Sequence, residues 1–309
     1  MHMAAYEKSD FASFTGEPLN KLIWRPEGIP TGVVQLTHGM AEHILRYDSL
    51  AQALNDAGFV VVGHNHLGHG ETAVTKGFFA RKGGWDALIS DMHKVRQDTQ
   101  KEYPGVPYFL LGHSMGSFLE RCYLTEHSLG LRGAVLSGTG AFSPAEARIG
   151  LLLSRIMILL GRGGRPSRLI DTLAFSSNNK PFSPAKTPFD WLSRDPRQVQ
   201  AYVDDPLCGF LFTARGYHDL FSGLNRLTRT QDLKTIDKNL SVLFLSGSHD
   251  PVGKNGIGMK RVADDFRAAG ISDITVKLYP DARHEVFNEL NRQEVYGDLA
   301  NWLLSKIGA

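Results

Sequence analysis

The chain has 309 residues, 42% of them hydrophobic and 21% charged, and its 34 basic and 32 acidic side chains leave a formal net charge of +2. That composition excludes a disordered chain and offers no basic footprint for a nucleic-acid partner. The length fits one large α/β domain, or a core carrying an inserted subdomain. Two cysteines, Cys122 and Cys208, stand in unrelated contexts. They form neither a disulfide framework nor a metal spacing, and read as free thiols of a reducing compartment. Residues 1–10 hold no apolar core of signal-peptide length. The most apolar stretch, residues 149–160, is too short to span a bilayer and contains Arg155. These features point to the cytoplasm.

Residues 14–24 read as an early hairpin turning at Thr15-Gly16-Glu17-Pro18. Gly32–Thr37 is a buried strand. Residues 47–57 place Leu50, Ala53, Leu54 and Ala57 on one helical face, and Gly58 ends it as a C′ residue. Residues 59–63 form a β-branched strand. Residues 86–101 form a helix. Residues 106–111 form a short buried strand after the Tyr103-Pro104-Gly105 turn, and Phe118, Leu119, Cys122 and Tyr123 then recur at helical spacing. Residues 133–137 are another strand. Strands separated by helices imply parallel pairing with right-handed crossovers.

The rhythm breaks over residues 141–238, which hold helical pieces, a Pro/Ser cluster at 180–184 and no convincing strand. They are expected to be a helical cap inserted between two parts of the core, residues 1–140 and 239–309. Strands then return at 242–246 and 274–279, with helices at 259–269 and 294–306. The expected class is α/β, a mostly parallel central sheet flanked by helices.

Gly112-His113-Ser114-Met115-Gly116 is a G-x-S-x-G pentapeptide between a strand and a helix. A tight strand-to-helix turn lifts such a serine out of the sheet as a nucleophile. A serine needs a general base, and the base an orienting carboxylate. Asp250 and His284 each follow a strand, acid before histidine, in the required order. Asp281 lies too near His284 in the same loop, and His249 precedes the acid. The developing oxyanion needs donors. The Met115 amide supplies one, and the Met40 amide, in the loop after Gly32–Thr37, supplies the other. Gly39 and His113 shape the site.

Taken together, these residues resemble the monoacylglycerol lipase and lysophospholipase branch of the α/β-hydrolase superfamily. The resemblance rests on His38-Gly39-Met40-Ala41-Glu42-His43 with Arg46-Tyr47, on His64-Asn65-His66-Leu67-Gly68-His69-Gly70, and on the Ser114 pentapeptide. It also rests on Asp204-Asp205-Pro206-Leu207 and on Arg283-His284-Glu285 with Asn288-Glu289. It implies the α/β-hydrolase fold, a Ser114–Asp250–His284 triad, an oxyanion hole of the Met40 and Met115 amides, and a mobile cap shaping an apolar tunnel for one acyl chain. Glu42 and His43 join the site-shaping residues, and Glu42 and Arg46 have a spacing suited to an ion pair. Two departures stand out. Asn65 replaces the family's usual Asp, and the cap matches only around Asp205-Pro206-Leu207.

The expected function is therefore a serine hydrolase of carboxylic esters, acting on monoacylglycerols or lysophospholipids with no metal and no cofactor. Other readings are a general carboxylesterase, a serine aminopeptidase whose substrate amine would need a carboxylate such as Glu146, Asp204 or Asp205, and a ligand-binding protein without turnover. The apolar cap residues 149–160, with Phe175, Phe182, Phe189, Trp191, Phe210, Leu211 and Phe212, suit a lipid-like acyl group or pack the cap onto the core. An exposed apolar cap helix would touch a membrane surface transiently. The oligomeric state is left open.

Overall fold

The computed structural model describes residues 6–307. Met1–Ala5, part of the segment read for a signal peptide, lie outside the described residues. Eight strands form one sheet: β1 (Tyr6–Ala12), β2 (Pro18–Trp24), β3 (Gly32–Thr37), β4 (Phe59–His64), β5 (Tyr108–His113), β6 (Gly133–Ser137), β7 (Ser241–Gly247) and β8 (Ile274–Tyr279). Their order is β1-β2-β4-β3-β5-β6-β7-β8. β1 and β2 pair antiparallel, β2 lies antiparallel to β4, and every later pairing is parallel.

Every residue of β3, β4 and β5 is buried, as expected of parallel strands covered on both faces. Alternation along each strand sorts side chains between two cores. Val33 and Val60 join the core under α2 (Gly84–Glu102) and α3 (Met115–His127), with Met92, Val95 and Leu119. Val34 and Val61 face Leu50 and Leu54 of α1 (Asp48–Asp56), and Leu299 and Trp302 of α9 (Arg292–Ser305). α8 (Ile257–Ala268) crosses between β7 and β8.

Between β6 and β7 the chain adds α4 (Pro144–Met157), α5 (Arg168–Phe175), α6 (Pro196–Asp204) and α7 (Ala214–Leu227), and no strand of the sheet. α4 and α7 pack closely, since a Cβ added at Gly150 would sit 2.4 Å from the Phe221 ring. An isolated bridge, Pro166 to Thr213, is the one β contact seen there among the described residues.

The hairpin departs from expectation in one respect. Its first strand is β1, upstream of residue 14, and the residues after Ala12 form the turn. β1 is an edge strand with mostly exposed polar residues, so it lacks the apolar alternation that marks a strand in sequence.

Two glycines test how tightly the elements are fitted. A Cβ at Gly116 would fall 2.0 Å from the Thr37 carbonyl oxygen, whereas one at Gly297 in α9 meets nothing within 4 Å. Gly297→Ala should gain roughly 0.5–1 kcal/mol in chemical denaturation through helix propensity. Gly116→Ala should be strongly destabilised. Equal effects from the two would contradict this packing.

Candidate active site

β5 ends at His113 and α3 begins at Met115, so Ser114 alone makes the turn between them. Its backbone sits at φ 52° and ψ −119°, a conformation costing about 1–3 kcal/mol for a residue with a Cβ. Hydrogen bonds hold it there. Ser114 N donates to Ser137 O at the end of β6 (2.9 Å), and Ser114 O accepts from Ser117 N (2.9 Å) and Ser117 Oγ (2.6 Å). The flanking glycines are required by space. A Cβ at Gly112 would lie 2.6 Å from Gly116 O, and Gly116 itself abuts β3.

Asp250 and His284 follow β7 and β8 and are joined directly, with His284 Nδ1 donating to Asp250 Oδ1 at 2.9 Å. Asp250 also accepts from Val252 N (2.9 Å) and Ser246 Oγ (3.2 Å). Burial opposes its charge, yet the adjacent imidazole and these donors bring the carboxyl below its usual range. Burial likewise pushes the His284 imidazole down, but Asp250 reverses this and the net shift is upward. Because Nδ1 is committed to Asp250, Nε2 is the free nitrogen, and it is buried without a partner among the described residues. Asp281, the competing acid, is exposed and forms no hydrogen bond or ion pair with His284 among the described residues.

The His113 ring, one residue before Ser114, packs 4.7 Å from the His284 ring. Burial, reinforced by His284, pushes His113 down to about 3, so it stays neutral. A Cβ at Gly138 would come within 2.9 Å of His284 and 3.0 Å of His113. The absence of a side chain there lets both rings meet.

The loop after β3 lies against the elbow, as a Cβ at Gly39 would be 3.3 Å from Ser114 Cβ. Gly39 N donates to Glu42 Oε1 at 2.5 Å. Ala41, at φ 53°, donates its N–H to His69 Nε2 (3.2 Å). Its carbonyl accepts from Tyr202 OH (2.9 Å) and Gly209 N (2.9 Å). With both neighbours pinned, the Met40 amide between them donates to no acceptor among the described residues. The same is true of Met115 at the start of α3.

Four buried histidines support this loop. Partners fix the tautomers of three: His38 Nδ1–H to Gly39 O (2.8 Å), His66 Nε2–H to His38 O (3.2 Å), and His69 Nδ1–H to Leu67 O (3.0 Å). Burial keeps them neutral, with His64 lowered to about 4 and His69 to about 3. Asn65 Oδ1 accepts from Ile44 N at 2.9 Å, so the amide still ties down the start of the next turn.

The family model described as serine aminopeptidase, S33 matches residues 28–291. The chain belongs to this family. Its relatives include a monoacylglycerol lipase of Mycolicibacterium smegmatis, 28% identical over 96% of each chain. A monoglyceride lipase of Rattus norvegicus is 27% identical over 92% of this chain and 86% of its own. Among solved structures, a thermostable carboxyl esterase from Bacillus coagulans, in complex with glycerol, superposes with a TM-score of 0.92. It is 31% identical, covering 98% of this chain and 99% of that one. The α/β-hydrolase fold is thereby established, and the expectation of a carboxylic ester hydrolase accords with all three.

In this S33 family member, two ion networks hold the site together, and apart from the Glu42–Arg46 pair no local spacing reveals their ionic partners. Arg46 is buried between Glu42 and Glu285. It bonds Glu42 one helical turn away, the ion pair expected, and grips Glu285 through two bonds of 2.8 and 2.7 Å across 239 positions. Tyr47 OH donates to Glu42 (2.8 Å), and the Tyr202 ring lies 4.8 Å from the guanidinium. Burial alone would raise the Glu285 carboxyl; Arg46 overcomes this and holds it below the usual range. Glu42 ends above that range because burial outweighs the same guanidinium.

The second network clasps the His284 loop to the non-helical stretch of the insertion that precedes α6. Fully buried Glu289 accepts from Arg194 N (3.0 Å), Arg194 Nε (2.9 Å) and Arg283 N (2.8 Å). Glu285 N donates to Leu192 O (2.8 Å), and the Trp191 ring packs 4.9 Å from His284. Trp191 thus touches the imidazole, a role no sequence signal carried. Most of the other cap aromatics pack inward: Phe212 is fully buried, Phe189 meets Tyr202, and Phe175 stacks on Tyr217.

His43, Asp205 and Cys208 bring donor atoms within 4.8 Å of one another. His43 Nε2 and Asp205 Oδ2 are already bonded at 2.7 Å, and burial raises the Cys208 thiol far above its usual range. The thiol is therefore protonated, and the trio reads as a tie between loop and insertion. Both cysteines are free and buried. A cleft of about 590 Å³ lined by Trp85, Asp219, Asn225 and Arg226, among others, shares no residue with the Ser114 site.

Two predictions follow from these charges. The acid limb of kcat/KM should lie above the ordinary histidine value of 6.5, since His284 must be neutral to accept a proton. In Asp250→Asn, the largest influence opposing burial is lost and only the more distant Glu285 and Glu42 remain, so any residual activity should show that limb displaced to lower pH. An unmoved limb would contradict the coupling. Arg46→Met strands two buried carboxylates and should cost about 3–5 kcal/mol in chemical denaturation. A loss below about 1 kcal/mol would contradict the burial of the trio.

Proposed function

We propose that this chain is a serine hydrolase of carboxylic esters of lipid-like substrates, with monoacylglycerols or lysophospholipids as the substrate class. Ser114 is the nucleophile, His284 the general base, and Asp250 the carboxylate that orients it. The observation that carries this reading is the strained Ser114 elbow beside a buried imidazole whose Nδ1 is tied to Asp250 and whose Nε2 is free.

His284 Nε2 takes the Ser114 proton as Oγ attacks the ester carbonyl. The oxyanion of the tetrahedral intermediate is met by the Met40 and Met115 amides, which donate to no acceptor among the described residues. Asp250 stabilises the imidazolium. Collapse passes the proton to the leaving alcohol and leaves an acyl-serine, and water repeats the cycle. Side chains and backbone amides supply every step. Residues 141–238 act as the cap over this site, and contact between cap and a membrane surface brings a cytoplasmic enzyme to its substrate.

The peptidase reading is disfavoured by the state of its candidate carboxylates. Glu146 completes a capping box with Ser143. Asp205 is bonded to His43, and Asp204 accepts from Gln200 at 2.7 Å. None of these three is left for a substrate amine.

Ser114→Ala should lower turnover of a chromogenic short-chain ester by at least ~10⁴-fold while the fold is retained. A panel of monoacylglycerols against aminoacyl arylamides should show turnover of the esters alone. Full activity in Ser114→Ala, or preference for arylamides, would overturn the reading.

A further inference from the structure

Residues 147–170 contain five arginines, Arg148, Arg155, Arg162, Arg165 and Arg168, and no aspartate or glutamate. The segment carries a formal +5 in a chain of net +2, so the remainder is net −3. All five arginines are exposed, and none has an ion-pair or side-chain hydrogen-bond partner among the described residues. Two exposed arginines elsewhere, Arg267 and Arg229, pair with an acid within their own turn, Asp264 (2.7 Å) and Asp232 (3.2 Å).

This segment, flanked by Glu146 and Asp171, and the rest of α5 after it expose large aliphatic side chains. On α4, Ile149, Leu152 and Ile156 are between 43% and 60% exposed, and Leu159 and Leu160 in the following turn reach 77% and 67%. Leu169 and Leu173, one turn apart on α5, are similarly open. A single exposed leucine is ordinary, but seven such residues within one stretch form a patch with a purpose. At 100° per residue, Arg148 and Arg155 fall on one border of the α4 stripe formed by Ile149, Leu152 and Ile156. Buried Ala147, Gly150 and Ser154 occupy the opposite side. α5 packs against α4 and extends the surface.

We propose that this face docks on a lipid bilayer bearing anionic headgroups. The inference rests on the ester-hydrolase reading above, in which the substrate lies in such a surface, and it names the surface's charge. Arginines bordering an apolar stripe let the aliphatic side chains enter the acyl boundary while the guanidiniums meet phosphate oxygens. The net negative remainder of the chain is repelled by the same surface, so the molecule is oriented with this face down. α4 follows Gly138, which lies against His284, so docking sets the catalytic end of the sheet beside the lipid.

Flotation of the full chain with vesicles tests this. Phosphatidylcholine vesicles containing phosphatidylglycerol should carry the protein, and pure phosphatidylcholine vesicles should carry far less. Raising the salt toward about 1 M, where the Debye length shrinks to about 3 Å, should reduce the difference. Each arginine replaced should weaken binding roughly fivefold, so Arg155→Glu with Arg162→Glu and Arg165→Glu should abolish flotation. That variant should keep kcat/KM on a soluble short-chain ester, which also reports an intact fold. Ser114→Ala should still float, so a failed assignment of Ser114 and a failed assignment of this face are separate results. Equal binding to both vesicle types, binding untouched in the triple variant, or stronger binding to duplex nucleic acid than to anionic vesicles would overturn the proposal.

Discussion

One buried guanidinium sets the geometry on which the rest of the site depends. Arg46 joins Glu42, whose carboxylate also holds the Gly39 amide, to Glu285, the residue after His284. The loop carrying the Met40 amide and the loop carrying the imidazole are therefore parts of one ionic unit. Charges buried this deeply are costly unless each is paired and hydrogen-bonded, and here Tyr47, Gly39 and Asn288 supply the remaining donors. Such an arrangement tolerates little displacement, which is what a site placing donors before the oxyanion forms requires.

Much of the core was legible because parallel strands buried on both faces read as continuous apolar runs, and β3 matches its expected bounds, Gly32–Thr37. The order of Ser114, Asp250 and His284 after β5, β7 and β8 was legible for the same reason. Each is punctuated by a strand end, where open α/β sheets gather their chemistry. β1 was missed because a polar edge strand has no apolar alternation. The partners of Glu285, Glu289 and Trp191 were invisible for another reason. Glu285 meets Arg46 across 239 positions and Glu289 meets Arg194 across 95, and Trp191 reaches His284 only because the insertion folds back over the loop after β8. A charged residue's partner can be read from sequence when it is one helical turn away, as with Glu42 and Arg46, and not otherwise.

The inserted helices serve two different surfaces. Their inner side is committed to packing, and the loop before α6 carries Trp191 and Arg194 to His284 and to buried Glu289 of the core. Their outer side, along α4 and α5, keeps leucines and unpaired arginines in solvent. Glu146 and Asp171, one on each helix, leave most of that positive charge unbalanced. The composition of this side makes sense when the face has a second, lipid solvent, and the hydrolytic site and the docking face then share one set of helices.

The most direct test of the central claim is capture of the covalent intermediate. Acid-quenching the enzyme during turnover of an activated acyl ester, followed by peptide mass spectrometry, should place one acyl group on the peptide containing Ser114. Turnover with no acyl group on Ser114, or with the acyl group on another residue, would contradict the account.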